Sequence, residues 1–248
     1  MKVIVIIPAA GLGTRMTSST ATAQGKTRSK QFVELDGVPI LVHTLRRFVQ
    51  LPAVSEVWIA MRKSESELFT QQLPKYGFGD KIHIVEGGEH RQDSVANALK
   101  ALQAAEDDIV LVHDAVRPFV TTETVFAVIA AVQKHGAAIA GVPAIDTIKQ
   151  VERTAEGAVI TSTIPREMIV QAQTPQGFRF GVLKQAFDDA AAEGFVGTDE
   201  ASLLERVGQP VQVVMGSPRN IKITTPGDLE LAEFFLSLEN RRKATQGR

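Results

Sequence analysis

The apolar run Val3–Ile7 leads into Pro8-Ala9-Ala10-Gly11-Leu12-Gly13-Thr14-Arg15-Met16. Gly11 and Gly13 let the backbone turn tightly and bring N–H groups close to an anion. Ala9 and Ala10 leave room for a flat base or a phosphate. Arg15 adds a fixed charge whose planar fork suits phosphate. Together these residues read as a phosphate cradle. The rival reading is a dinucleotide site, and two features oppose it. Met16 stands where the third glycine of G-x-G-x-x-G belongs. The second strand ends Met61-Arg62-Lys63, without an acid to hold a ribose diol. No Gly-Lys-Ser/Thr follows, so the turn is not a P-loop. Cysteine is absent, which excludes thiol catalysis, disulfides and Cys-based metal sites. The histidines (His43, His83, His90, His113, His135) show no metal-ligand spacing. His113 reads as an oriented or core histidine rather than a base.

The elements that position these residues alternate between strand and helix. Strands are predicted at Val3–Ile7, Val57–Met61, Ile82–Val85, Ile109–His113 and Ala138–Val142. Helices are predicted at Ile40–Leu51, Glu65–Leu73, Ser94–Ala105 and Thr122–His135, the last closed by Gly136. This rhythm argues for an α/β fold, a parallel sheet with helices on both faces. Ile145–Val151 and Val159–Thr163, separated by the turn Thr154–Gly157, read as a hairpin. Helices follow at Phe180–Glu193 and Thr198–Val207, with strands at Val211–Met215 and Ile221–Thr224. Thr225-Pro226-Gly227-Asp228 is a helix start: a capping Thr, Pro at the first position and an acid three residues on. The tail Asn240–Arg248 is polar and expected to fray. The small, polar, aperiodic run Thr17–Ser29 is expected to be a mobile loop, either a lid or an inert surface insertion.

At 248 residues the chain fits one large unit with a small appendage, and 44% hydrophobic residues suffice for a sizeable core. A formal net charge of −1, with one Tyr and one Trp for stacking, argues against nucleic acid as a partner. No apolar run is long enough to cross a bilayer, and the first strand runs into a Gly-rich turn rather than a cleavage site. The lack of cysteine fits a reducing cytoplasm.

Seven segments then appear in one order across nearly the whole chain: PAAGLGTRM, KQFVELDGVPILVHTL, GGEHRQDSV, VHDAVRP, TPQGF, TDEASLLE and NIKITTPGDLELAE. Together they resemble the 2-C-methyl-D-erythritol 4-phosphate cytidylyltransferase family. The resemblance implies a Rossmann-like nucleotidyltransferase sheet over residues 1–248, with a protruding β-hairpin arm at about 144–166. It implies transfer of CMP from CTP to methylerythritol phosphate with release of pyrophosphate, Mg²⁺ as cofactor, and a homodimer joined through the arm with composite sites. Such chemistry needs no general base, because the attacking phosphate oxygen is already anionic. Positioning and electrostatics should carry it.

By the same resemblance, Arg15, Lys30 and Lys222 are the catalytic cations at the α-phosphate, and Asp114 is the Mg²⁺ ligand. Ala9, Ala10, Gly11, Gly13, Gly88, Glu89, Arg91 and Ser94 line the CTP site. Arg117, Thr147, Arg166, Thr174 and Thr198 receive the alcohol phosphate. Simpler readings stand beside several of these. Asp114 could cap a turn, and Lys222 could be a surface lysine on an edge strand. Arg91 could be a solvated helix-start residue, Arg166 could pair with Glu167, and Glu239–Lys243 could be a solvated helix end. Two departures matter: the Arg15–Lys30 spacing is longer than usual, and Glu89 stands where Asp is common. The alternatives are a ribitol-5-phosphate cytidylyltransferase and a nucleotide-binding regulator without turnover. Retention of the four charged residues Arg15, Lys30, Asp114 and Lys222 opposes the regulator.

Overall fold

The computed structural model describes residues 1–11 and 29–246. Gly13, Arg15 and the expected loop Thr17–Ser29, apart from Ser29 itself, lie outside the described residues. The chain opens with β1 (Val3–Pro8). After a short 3₁₀ turn at Lys30–Phe32 come β2 (Glu34–Leu35) and β3 (Val38–Pro39). Asp36 and Gly37, both at positive φ, make the tight turn between them. Then follow α1 (Ile40–Val49), β4 (Glu56–Met61), α2 (Lys63–Gln72), β5 (Ile82–Glu86), α3 (Arg91–Ala101), β6 (Ile109–Val112), α4 (Thr122–His135) and β7 (Ala137–Pro143). The hairpin is β8 (Ile148–Thr154) and β9 (Gly157–Ile164). The chain ends with β10 (Val170–Arg179), α5 (Phe180–Ala192), α6 (Glu200–Arg206), β11 (Gln212–Met215) and α7 (Pro226–Gln246).

Seven strands among the described residues form one sheet in the order β11-β7-β10-β6-β1-β4-β5. The sheet is mixed rather than parallel, because β10 runs antiparallel to both β6 and β7. No strand is evident at Val170–Arg179 from sequence, since Gln173, Pro175, Gln176 and Gly177 break any apolar alternation. Pro175 falls within the register shift between Ala172 and Gln176, where a residue without an N–H is tolerated. A Cβ at Gly177 would lie 2.7–2.9 Å from Val128, Leu111 and Val132, so only glycine lets α4 and β6 come this close.

Side chains of β1 alternate between two cores. Val3, Val5 and Ile7 pack with Leu41, Leu45 and Phe48 of α1 and Val125, Val128 and Val132 of α4. Ile4 and Ile6 pack with Val95 and Leu99 of α3 and Leu183 and Phe187 of α5. A third cluster, Leu35, Ile40, Val116, Phe119, Ile223, Ala232 and Leu236, seats α7. Arg47 donates to Glu239 at 2.7 Å, so the acid at this helix end is tied to α1 rather than merely solvated. The helix also continues to Gln246, beyond the expected fraying point at Asn240.

Other expectations shift, two of them at the site. α3 begins at Arg91, three residues before the expected start, because Asp93 accepts from the His90 N–H at 3.0 Å and closes a capping box. Ile221–Thr224 is not a strand: the segment is pegged by the Ile223 N–H donating to the Val116 carbonyl at 3.0 Å. The expected hairpin is present, with its first strand running Ile148–Thr154 rather than starting at Ile145, and it stands outside the main sheet as a separate two-stranded arm. Every residue of β9 before Ile164 is exposed. Among the described residues, no helix is long and apolar enough to cross a membrane.

Candidate active site

From β1 the chain crosses to β4 and β5 on one side, then returns to β6 on the other. The carboxyl ends of β1 and β6 therefore flank the point where strand order reverses, where open α/β sheets bind ligands. A cleft opens there. Ala9, Ala10, Gly11, Lys30, Gly88, Glu89, Arg91, Ser94, Asp114 and Lys222 all line it. The structure thus gathers ten of the expected site residues from five separate chain segments.

Asp114 follows β6 and is 6% exposed. Burial alone would raise its carboxyl, but Arg91, Lys222 and Arg117 outweigh burial and hold it well below the usual carboxylate range. Lys222 Nζ lies 3.1 Å from Oδ2, Arg117 Nε 3.0 Å from the same oxygen, and Arg91 Nε 3.4 Å from Oδ1. Arg117 also donates to the Asn220 carbonyl at 2.6 Å, which fixes the segment that carries Lys222. The buried Asn220 side chain donates to the Thr174 carbonyl at 2.7 Å. Thr174 Oγ1 accepts from the Asp114 N–H at 3.1 Å and meets His113 Nδ1 at 3.0 Å. His113 is fully buried, and burial pushes its pKa down to about 4, so it is neutral near pH 7. It orients the turn and is placed as a core histidine.

Other expected residues have equally local reasons for their positions. Gly88 donates its N–H to Ser94 Oγ at 3.1 Å. A Cβ on Gly88 would fall 2.2 Å from Asp93 Cβ, and one on the neighbouring Gly87 2.5 Å from Ala10 Cβ. Gly88→Ala is accordingly expected to cost about 1–3 kcal/mol by overpacking, read as a lower midpoint in urea with an unchanged m-value. Gly11 has open space around its Cβ position and no positive φ, so nothing steric in the described residues demands glycine there. Glu89 is exposed at the rim.

The residues expected to hold the second substrate are dispersed. Arg117 and Thr174 sit behind Asp114, and Thr198 is exposed just before α6. Thr147 is exposed, directly before β8 rather than within the hairpin. Arg166 lies at the arm's base, 58% exposed, with Nη1 3.1 Å from the Ile145 carbonyl and Nε 3.7 Å from Glu167. Neither arm residue lines the cleft in this chain.

Three polar residues in or behind the cleft carry no functional cue in the sequence: Gln31, which lines it, and Glu65 and Glu200, which bond to its neighbours. Gln31, 1% exposed, donates to the Ala9 carbonyl at 2.6 Å and so sets the neighbouring Lys30 beside the cradle. Glu65 accepts from the buried Ser29 hydroxyl. Glu200, 1% exposed, meets Arg91 Nη1 at 2.5 Å. An acid in the first turn of α6 reads as ordinary dipole complement in sequence, which hides its pairing.

The donor set can be tested against Mg²⁺. Among the described residues no group of three or more His, Cys, Asp or Glu could cage a metal. Mg²⁺ keeps several waters and takes one or two carboxylates plus substrate phosphates. One ionised carboxylate, with Oδ1 at a long 3.4 Å from its cation, fits that mode of binding.

Comparison with known proteins bears on what this cleft is for. The family model described as IspD, 2-C-methyl-D-erythritol 4-phosphate cytidylyltransferase, matches residues 3–238. The chain is 58% identical over 242 residues to the 2-C-methyl-D-erythritol 4-phosphate cytidylyltransferase of Acidobacterium capsulatum, covering 98% of this chain and 100% of the relative. It is 50% identical over 246 residues to that of Solibacter usitatus, covering 98% of each. The crystal structure of the Francisella tularensis protein of the same name superposes with a TM-score of 0.78 at 37% identity, covering 94% of this chain and 99% of the other. The 4-diphosphocytidyl-2C-methyl-D-erythritol synthase of Anaerococcus prevotii gives 0.79 at 29%, covering 95% and 96%. Matches that run from the first strand into the last helix take in the cradle, the Asp114 turn, the arm and the Lys222 peg together. The chain therefore belongs to the 2-C-methyl-D-erythritol 4-phosphate cytidylyltransferase family.

Proposed function

We propose that this enzyme transfers CMP from CTP to 2-C-methyl-D-erythritol 4-phosphate. A phosphate oxygen of the alcohol phosphate bonds to the α-phosphorus of CTP. The bond from that phosphorus to the bridging oxygen breaks, and its electron pair leaves with pyrophosphate. The observation that carries this reading is the convergence of Lys30, Arg91 and Lys222 with Asp114 in one cleft at the strand-order reversal. A group of cations there suits two polyanions and the charge that grows between them. Lys30 and Lys222, with Arg15, act at the α-phosphate. Ala9, Ala10, Gly11, Gly88, Glu89 and Ser94 receive the nucleotide. Mg²⁺, held by Asp114, would neutralise charge on the triphosphate. The buried, neutral His113 needs no part in proton transfer.

The test is pyrophosphate release with CTP and Mg²⁺, offering methylerythritol phosphate and ribitol 5-phosphate in parallel. Release with the first and not the second is expected. Release only with ribitol 5-phosphate would overturn the substrate assignment while leaving the chemistry in place.

A homodimer joined through the arm belongs to the same proposal, as does a cytoplasmic location. Ile145, Val159, Ile160 and Met168 are 58–79% exposed along the arm and its base, and such a patch suits a second copy. Arg166, which does not line the cleft of its own chain, would then serve the partner's. Mixing Arg166→Ala with Arg15→Ala subunits is expected to recover part of the activity that each variant has lost. Isolated heterodimers that stay inactive would refute shared sites.

A further inference from the structure

Glu200 is a buried acid whose place in the fold is unexplained by stability. Its Oε1 meets Arg91 Nη1 at 2.5 Å, while its Oε2 is buried without a hydrogen-bond partner among the described residues. Burial pushes its carboxyl above the usual range in spite of Arg91. A buried ion pair is often no more stabilising than an apolar pair of similar volume, and an orphaned oxygen makes it less so.

The surroundings hold the pair in place from both sides. Gln176 of β10 donates to Asp199 Oδ2 at 2.7 Å and accepts from the Ala201 N–H at 3.1 Å, which bolts the start of α6 to the sheet. Gln92 accepts from the Gly197 N–H at 2.8 Å and donates to the Phe195 carbonyl at 3.0 Å, which bolts the start of α3 to the same loop. Arg91 lies between these bolts. Its guanidinium is gripped from behind by Glu200 and reaches Asp114 through Nε. Its side chain keeps 28% of its surface open, towards the cleft it lines.

We infer that Glu200 is a positioning residue, which holds the Arg91 guanidinium at the nucleotide end of the cleft before CTP arrives. This rests on the cytidylyltransferase reading given above. A free arginine loses much rotamer freedom when it grips an anion, and a fixed one does not.

The experiment measures CTP affinity by calorimetry with Mg²⁺ present, for the wild type, Glu200→Leu, Glu200→Gln, Arg91→Ala and the Arg91→Ala/Glu200→Leu double variant. Glu200→Leu fills the space without an acceptor, and its thermal melt shows whether it folds. It is expected to raise Kd for CTP about tenfold, the scale of one side chain left to be immobilised. Glu200→Gln keeps an oxygen for Arg91 and is expected to stay within about threefold of wild type. In the Arg91→Ala background the leucine is expected to add nothing, because residues that act through one another are not additive. Wild-type affinity in folded Glu200→Leu, or an undiminished effect in the Arg91→Ala background, would overturn the inference. Wild-type turnover with methylerythritol phosphate, measured separately, tests the parent reading; its failure would leave the affinity comparison able to decide the role of Glu200.

Discussion

Lys222→Ala is expected to lower kcat by roughly a hundredfold to a thousandfold while KM for CTP changes by only a few fold. The magnitude is that of one preorganised donor aimed at charge that develops in the transition state. The split between the constants follows because uniform binding of substrate and transition state would appear in KM instead. The structure favours a clean experiment. Lys222 is 39% exposed on its side chain, and Asp114 keeps Arg117 and Arg91 when the lysine is gone. Ile223, fully buried, still seats the segment against α7 and the Val116 carbonyl. Thermal melts should therefore be nearly superimposable with wild type. Steady-state kinetics decides the matter: an unchanged kcat removes Lys222 from the chemistry.

Asp114→Asn should be more damaging, and in two separable ways. Turnover should fall by at least about a hundredfold, as expected when an electrostatic element of the site is neutralised. Raising Mg²⁺ should not restore it, since the amide offers no charge to a hard cation. Stability should fall as well, because three cations face one buried carboxylate. Breaking a buried pair from one side typically costs about 3–5 kcal/mol; the partial exposure of Lys222 and Arg91 places this case at about 3. The sign of the pH dependence follows from the lowered carboxyl. Stability from ionised Asp114 is present above the unfolded value of about 3.9 and is lost as pH falls through its lower folded pKa. Wild type should thus lose more stability than the variant on acidification below about pH 4. Urea denaturation across pH checks this, and a Mg²⁺ titration of activity checks the first effect. Full activity at ordinary Mg²⁺ would show that Asp114 holds no metal.

Much of this frame can be read from local chemistry. α4 has the expected bounds because Thr121 accepts the Thr124 N–H at its start and Gly136, at φ 87°, ends it. α7 starts where Thr225-Pro226-Gly227-Asp228 indicates, with Asp228 accepting from the Thr225 N–H at 2.8 Å. β10 was hidden because its burial comes from strands on both sides rather than from its own pattern: Gln173, Thr174 and Gln176 are buried and tied to neighbours far along the chain. Alternation at Ile221 and Ile223 correctly separates them from Lys222, yet alternation cannot tell a single backbone peg from a ladder.

The site followed the same division. The resemblance of the ordered motifs singles out Asp114, Lys30, Lys222 and Arg91, and the fold brings these four to one cleft. Gln31 and Glu200 were not legible, since a buried polar residue acquires its meaning only from the group it meets. The sequence offers no local cue that Gln31 reaches the Ala9 carbonyl or that Glu200 reaches Arg91.

The contacts around Asp114 also impose an order on how the molecule comes into being. Thr174 joins it across 60 residues, Asn220 meets Arg117 across 103, and Glu200 meets Arg91 across 109. During synthesis β1, β4, β5 and β6 can pair while only their own segments have emerged. The charge around Asp114 stays incomplete until Lys222 has left the ribosome. A nascent chain that stops short of it holds most of the sheet and an unfinished cleft, so turnover is expected to be among the last properties the growing protein acquires.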